Sequence, residues 1–133
     1  MNIRVGTDIV YIPRIQVLIT RFGNRFLQRV YTPNEQQHCG VSNELTRMAI
    51  NKLAGRWAAK EAVVKALGTG WRGIGYTDVE ICRHSSGVPF VVFHNKAEAI
   101  VTASGELDNN CQLSLSHDGD YATATAIFVA PGT

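Results

Sequence analysis

Along residues 44–67 the apolar positions recur at helical spacing, with Ala49, Leu53, Trp57, Val64 and Leu67 gathering into one sector. Gly68-Thr69-Gly70 then supplies a stop signal, so the pattern predicts a long central helix over roughly Glu44 to Leu67. Before it, Ile3 to Val10 alternate as a strand, with Val5, Thr7 and Ile9 on one face and Gly6, Asp8 and Val10 on the other. Pro13 opens a helix to about Phe22, whose apolar side is Ile15, Ile19 and Phe22, and Gly23-Asn24 interrupts it. Thr32-Pro33-Asn34-Glu35 has capping-box spacing and predicts a second helix to about His38 or Cys39, ended by Gly40. Beyond the central helix, Thr77 to Arg83 and Pro89 to Phe93 read as a hairpin, and Asn95 caps a helix to about Ser104 that Gly105 ends. Cys111 to Val129 form two strands joined at His117-Asp118-Gly119-Asp120. The result is an α+β chain, one domain over 1–133, with a long helix packed on a mainly antiparallel sheet.

Several polar residues sit where this pattern does not want them. Arg56 and Lys60, one turn apart, project into or beside the apolar sector, and a cation there needs an anionic partner. The bland alternative is that their heads snorkel to water while Glu61 and Lys65 form an i,i+4 surface pair. Asp8 is unfavourable inside a strand, and Gly6 beside it leaves room for something to approach; a turn or cap would explain Asp8 equally well. His117 ends what reads as a buried row with Leu113 and Leu115. The glycine-rich run Gly68 to Gly75 has amides able to approach a phosphate but fits neither a Walker A loop nor a dinucleotide fingerprint.

Composition narrows the class. The 133 residues are 45% hydrophobic and 18% charged, as in a globular chain, with no apolar run near membrane-spanning length and no signal-peptide profile, so a cytoplasmic site is expected. Three scattered cysteines, Cys39, Cys82 and Cys111, indicate neither a disulfide framework nor a zinc site. The net charge of +2 and 8% aromatic content argue against nucleic-acid binding. The charge is uneven, however: Arg14, Arg21 and Arg25 with Leu18 form a basic stripe with an apolar centre, suited to docking an acidic protein.

Gly6-Thr7-Asp8-Ile9-Val10 with Arg14-Ile15, Arg56-Trp57-Ala58-Ala59-Lys60-Glu61-Ala62 with Lys65-Ala66-Leu67-Gly68-Thr69-Gly70, and Leu113-Ser114-Leu115-Ser116-His117 stand in one order. Together they resemble the small bacterial 4'-phosphopantetheinyl transferases, the holo-acyl carrier protein synthases, over nearly the whole chain. The resemblance implies that fold, and transfer of the phosphopantetheine arm of coenzyme A to a serine of an apo-acyl carrier protein in support of fatty acid biosynthesis. It implies Mg²⁺ at Asp8 and Glu61, with Asp8, Glu61 and Lys65 catalytic. Arg56, Lys60 and Lys65 fall near the coenzyme A phosphates, and Ser116 and His117 near its nucleotide end. For the serine proton, Glu61 through a bound water is favoured, with Lys65 as base or leaving-group stabiliser the alternative. Arg14, Leu18, Arg21 and Arg25 match the carrier-protein surface, the last two depending on whether Gly23 breaks the helix. The resemblance also implies a homotrimer with active sites shared between subunits.

A rival class is a coenzyme A- or nucleotide-binding module without catalysis. Two carboxylates beside the lysines argue against it, because they would hinder anion binding alone.

Overall fold

A computed structural model describes residues 2–103 and 111–130. The chain runs β1 (Asn2–Tyr11), α1 (Ile12–Phe22), α2 (Asn24–Val30), α3 (Pro33–Cys39), α4 (Arg47–Leu67), a 3-10 turn (Tyr76–Asp78), β2 (Val79–Arg83), β3 (Pro89–Phe93), α5 (Asn95–Ala103), β4 (Cys111–Asp118) and β5 (Tyr121–Ala130). The strands form an antiparallel sheet of order β1-β5-β4 and a separate hairpin, β2-β3. This is the α+β architecture that the alternation and helical spacing predict.

Helix α4 is the centre of the core. The sequence predicts one apolar sector, but burial extends around most of its circumference, with Ala54, Ala58, Ala59, Ala62, Val63 and Ala66 also enclosed. The cause is tertiary: β1, β4 and β5 pack on one side, and α1, α3 and β2 on others. The facing strands are lined by small residues, Gly6, Ala122, Ala124 and Ala126, which lets helix and sheet approach closely. Gly6 is the limiting case. A β-carbon built there would collide with the carbonyl oxygen of Ala62 and lie 2.6 Å from the amide nitrogen of Ala66. The space beside Asp8 is therefore filled by the backbone of α4.

Local signals were mostly decisive. Thr32 and Glu35 form the expected capping box, and Gly40 and Gly68 end α3 and α4 in the left-handed conformation. The central helix begins later than predicted because Thr46, not a residue near Asn43, accepts from the amide of Ala49 as its cap. Gly23 does break the first helix, and a separate α2 follows, which places Arg14 and Arg21 on α1 but Arg25 on α2. Phe22 is exposed rather than on the apolar side, with the Arg21 guanidinium 5.2 Å above its ring. Asn95 is not the cap of α5; its φ is 53°, its side chain bonds Asp78 at 3.0 Å, and the carbonyl of His94 accepts from Ala97 and Glu98. The predicted end at Ser104 and Gly105 lies outside the described residues.

The outer face of the three-stranded sheet is apolar and open: Ile3, Val5 and Ile9 are each more than half exposed, beside Tyr11, Tyr121 and Val129. No helix among the described residues is long and apolar enough to cross a membrane.

The three cysteines are buried thiols. Burial pushes Cys39 and Cys82 up to about 11, so neither forms thiolate at working pH. Ellman's reagent at pH 8 is expected to label none of the three within minutes in the native protein and all three in guanidinium. Rapid native labelling would contradict the packing described.

Candidate functional site

The structure divides the sequence-predicted residues into three groups. The first lies where β1 crosses the C-terminal half of α4. Asp8 sits in mid-strand opposite Ala124, so it is neither a turn nor a cap residue. Its carboxylate accepts from Lys65 Nζ at 3.1 Å, and the same ammonium donates to the carbonyl of Thr7 at 3.0 Å. Lys65 thus reaches to Asp8, while Glu61 is held by other donors: the Tyr76 hydroxyl at 3.1 Å on Oε1 and the Trp71 indole N–H at 3.4 Å on Oε2. Trp71 belongs to the glycine-rich run and Tyr76 to the turn after it, so this loop folds back over α4. Burial, then the negative charge of Glu61, pushes the Tyr76 phenol up to about 12, with Asp8 adding in the same direction and Arg29 opposing. Both carboxylates therefore act on one hydroxyl.

Asp8 and Glu61 supply hard oxygen donors from two elements. Among the described residues no group of three or more His, Cys, Asp or Glu side chains gathers to hold a metal ion. Two carboxylates fit Mg²⁺, which takes one or two from protein and completes its shell with phosphate oxygens and water. The ammonium of Lys65 already stands beside Asp8, where positive charge is favoured.

The second group lines a cavity of about 550 Å³ between the first half of α4, the end of β4, α3 and β2. Arg56, Ser116 and His117 meet there, joined by Lys52, His38 and Arg83, and no carboxylate lines the wall among the described residues. Arg56 is buried, yet its Nε has no hydrogen-bond partner. A buried guanidinium with an unused donor, on a residue that lines a cationic cavity, is poised for an anion. His117 is exposed at the rim of this cavity rather than ending a buried row. Lys52, His38 and Arg83 carried no motif. Lys52 alone had a signal, lying one turn before Arg56 on the same helix.

Lys60 belongs to neither group. Its side chain is wholly enclosed, and its three donors are spent on Glu35 Oε1 at 2.8 Å, the Tyr76 carbonyl at 2.9 Å and the Val79 carbonyl at 2.6 Å. Burial pulls the ammonium below its ordinary pKa, and Glu35 opposes that pull. The anionic partner its position demands is internal, so Lys60 has no donor left for a coenzyme A phosphate and its expected place near the phosphates is withdrawn.

The third group, Arg14, Arg21 and Arg25, is exposed on α1 and α2 with Leu18 half-buried among them; Arg29, also exposed, extends the basic surface toward Tyr76.

A family model, the 4'-phosphopantetheinyl transferase superfamily, matches residues 4–126. The chain belongs to this superfamily. Among its relatives, the holo-[acyl-carrier-protein] synthase of Gloeobacter violaceus is 52% identical over 122 residues, covering 92% of this chain and 89% of the relative. The crystal structure of the Neisseria meningitidis holo-[acyl-carrier-protein] synthase superposes with a TM-score of 0.82 at 31% identity, over 95% of this chain and 97% of that one. The Helicobacter pylori synthase, crystallised in complex with coenzyme A, gives a TM-score of 0.79 at 27% identity, over 94% and 99% of the two chains. As in these transferases, the long helix here is packed against an antiparallel sheet.

Proposed function

We propose that the protein transfers the 4'-phosphopantetheine group of coenzyme A to a serine of apo-acyl carrier protein, giving holo-acyl carrier protein and adenosine 3',5'-bisphosphate. The observation that carries this reading beyond family membership is Arg56, a buried cation with an unpartnered Nε on a residue that lines a cavity with no carboxylate among the described residues of its wall. Arg56, Ser116 and His117 bind the nucleotide end of coenzyme A, and Lys52 and Arg83 add positive charge around it, with His38 beside them.

Asp8 and Glu61 hold Mg²⁺. When bound, the ion offsets charge on the pyrophosphate under attack. Lys65, its side chain about half exposed, neutralises the phosphate that leaves when the serine oxygen bonds to the β-phosphorus. The serine proton passes to Glu61 through an intervening water. The acidic carrier protein docks on Arg14, Leu18, Arg21 and Arg25, a surface that leads through Arg29 toward the carboxylates.

The two half-sites occupy different sides of α4. Arg56 and Glu61, five residues apart, point about 140° from each other around the helix. The open apolar face of β1 and β5 offers a surface for joining copies of the chain. A homotrimer in which one subunit's cationic cavity meets its neighbour's Asp8 and Glu61 would complete the site. The protein works in the cytoplasm, serving fatty acid biosynthesis.

The direct test is the mass of a purified apo-acyl carrier protein after incubation with the protein, coenzyme A and Mg²⁺, with EDTA in a parallel tube. A gain of one phosphopantetheine group in the Mg²⁺ tube only is expected. No gain with several carrier proteins, alongside measurable coenzyme A binding, would favour a non-catalytic module. Reversing Arg14 to Glu is expected to raise KM for the carrier protein about tenfold while KM for coenzyme A stays within about twofold. Equal losses for both substrates would count against a separate docking surface.

A further inference from the structure

Glu61 is the more constrained of the two carboxylates. One donor reaches each oxygen, and both come from aromatic side chains on the segment that follows α4. The rings are themselves packed in a row: Trp71 lies 4.1 Å from Tyr76 between centroids and Tyr76 5.3 Å from Trp57, both tilted, and Trp57 stacks on Phe26 of α2 at 5.5 Å. A row of four rings therefore ends at the carboxylate. Stacking alone needs only ring faces, so the hydroxyl and the indole N–H serve something further.

We propose that Tyr76 and Trp71 are positioning residues for Glu61, fixing its carboxylate in one orientation for the cation that it shares with Asp8. This rests on the reading of Asp8 and Glu61 as a Mg²⁺ site. The hydroxyl at 3.1 Å is the shorter and more durable donor. The indole bond at 3.4 Å is the weaker one, and it is the one that yields when a cation draws on Oε2. Outer partners of this kind orient a ligand before the metal arrives, and their loss typically lowers metal affinity about 10- to 100-fold. The indole also makes the site visible, because a change at Glu61 Oε2 alters the surroundings of Trp71.

The chain has two tryptophans, so a Trp57→Phe background isolates Trp71. In that background, with coenzyme A saturating, Mg²⁺ is titrated while indole emission is followed, and Mg²⁺ affinity is measured separately by calorimetry. Emission is expected to shift with Mg²⁺, and the shift to vanish in Glu61→Gln. Tyr76→Phe, which keeps the ring and its stack, is expected to weaken Mg²⁺ about tenfold with KM for coenzyme A unchanged. Trp71→Phe is expected to act in the same direction but less. If Glu61→Gln abolishes Mg²⁺ binding while Tyr76→Phe and Trp71→Phe leave it unaltered, the positioning role is overturned and the metal site stands. If Glu61→Gln itself leaves Mg²⁺ affinity unchanged, both fall.

Discussion

Gly6→Ala is expected to lose about 3 kcal/mol of stability or more, a large effect for the addition of one methyl group. The new β-carbon would meet the backbone of α4 at Ala62 and Ala66, not a side chain that can turn aside. Strand and helix would have to part, and these are the two elements that carry Asp8 and Glu61. Activity should therefore fall further than the folded fraction does. Gly55→Ala is the matched control: its β-carbon would meet only Leu115 Cδ2 at 3.6 Å, an ordinary contact, and alanine is favoured over glycine in a helix by about 1 kcal/mol. Urea unfolding of the two variants checks the contrast. A Gly6→Ala protein as stable as Gly55→Ala would refute the close approach.

Lys60→Met should cost about 3–5 kcal/mol, since it strands the buried carboxylate of Glu35. Glu35 would keep its bonds from the amides of Thr32 and Ile81, at 2.9 Å and 3.0 Å, but lose its counter-charge. The carbonyls of Tyr76 and Val79 would lose their donor as well. Against a total stability of about 5–15 kcal/mol for a domain, that is a severe loss. Adding Glu35→Gln removes the stranded charge, so the double variant should recover part of the loss, the mark of a coupled pair. Chemical denaturation of the single and double variants measures it. A Lys60→Met midpoint within experimental error of the parent would show that the pair contributes nothing.

Lys60 also shows where sequence reading stops. Its misfit on an apolar helix face was legible, because helical spacing is a local property. Its partner was not. Glu35 lies 25 positions earlier and reads as a capping residue, which it is; nothing local says that the same carboxylate also receives a buried ammonium and the amide of Ile81. The caps at Thr32, Gly40 and Gly68, the hairpin at Gly119 and the alternation of β1 were legible for the complementary reason, each being set within a few residues. The cationic cavity was half legible. Arg56, Ser116 and His117 stand in recognisable runs, whereas His38 and Arg83 come from α3 and β2 and meet only after folding. The hold of Trp71 and Tyr76 on Glu61 was hidden in and just after a glycine-rich run that fits no phosphate-loop fingerprint.

The pairing of β1 with β5 over its whole length has a consequence for how this chain can change in length. Side chains alternate between the faces of a strand, so an inserted or deleted residue turns everything on one side of it over. Between Gly6 and Val10 there is no slack, since Gly6 must clear the helix, Asp8 must face it and Val10 must enter the core. Additions are absorbable in the segment 41–45 between the caps of α3 and α4, where no strand register is at stake. The spacing of two residues between Gly6 and Asp8 is therefore a ruler, and a chain that altered it would keep the chemistry of its carboxylate but point it away from α4 and Lys65.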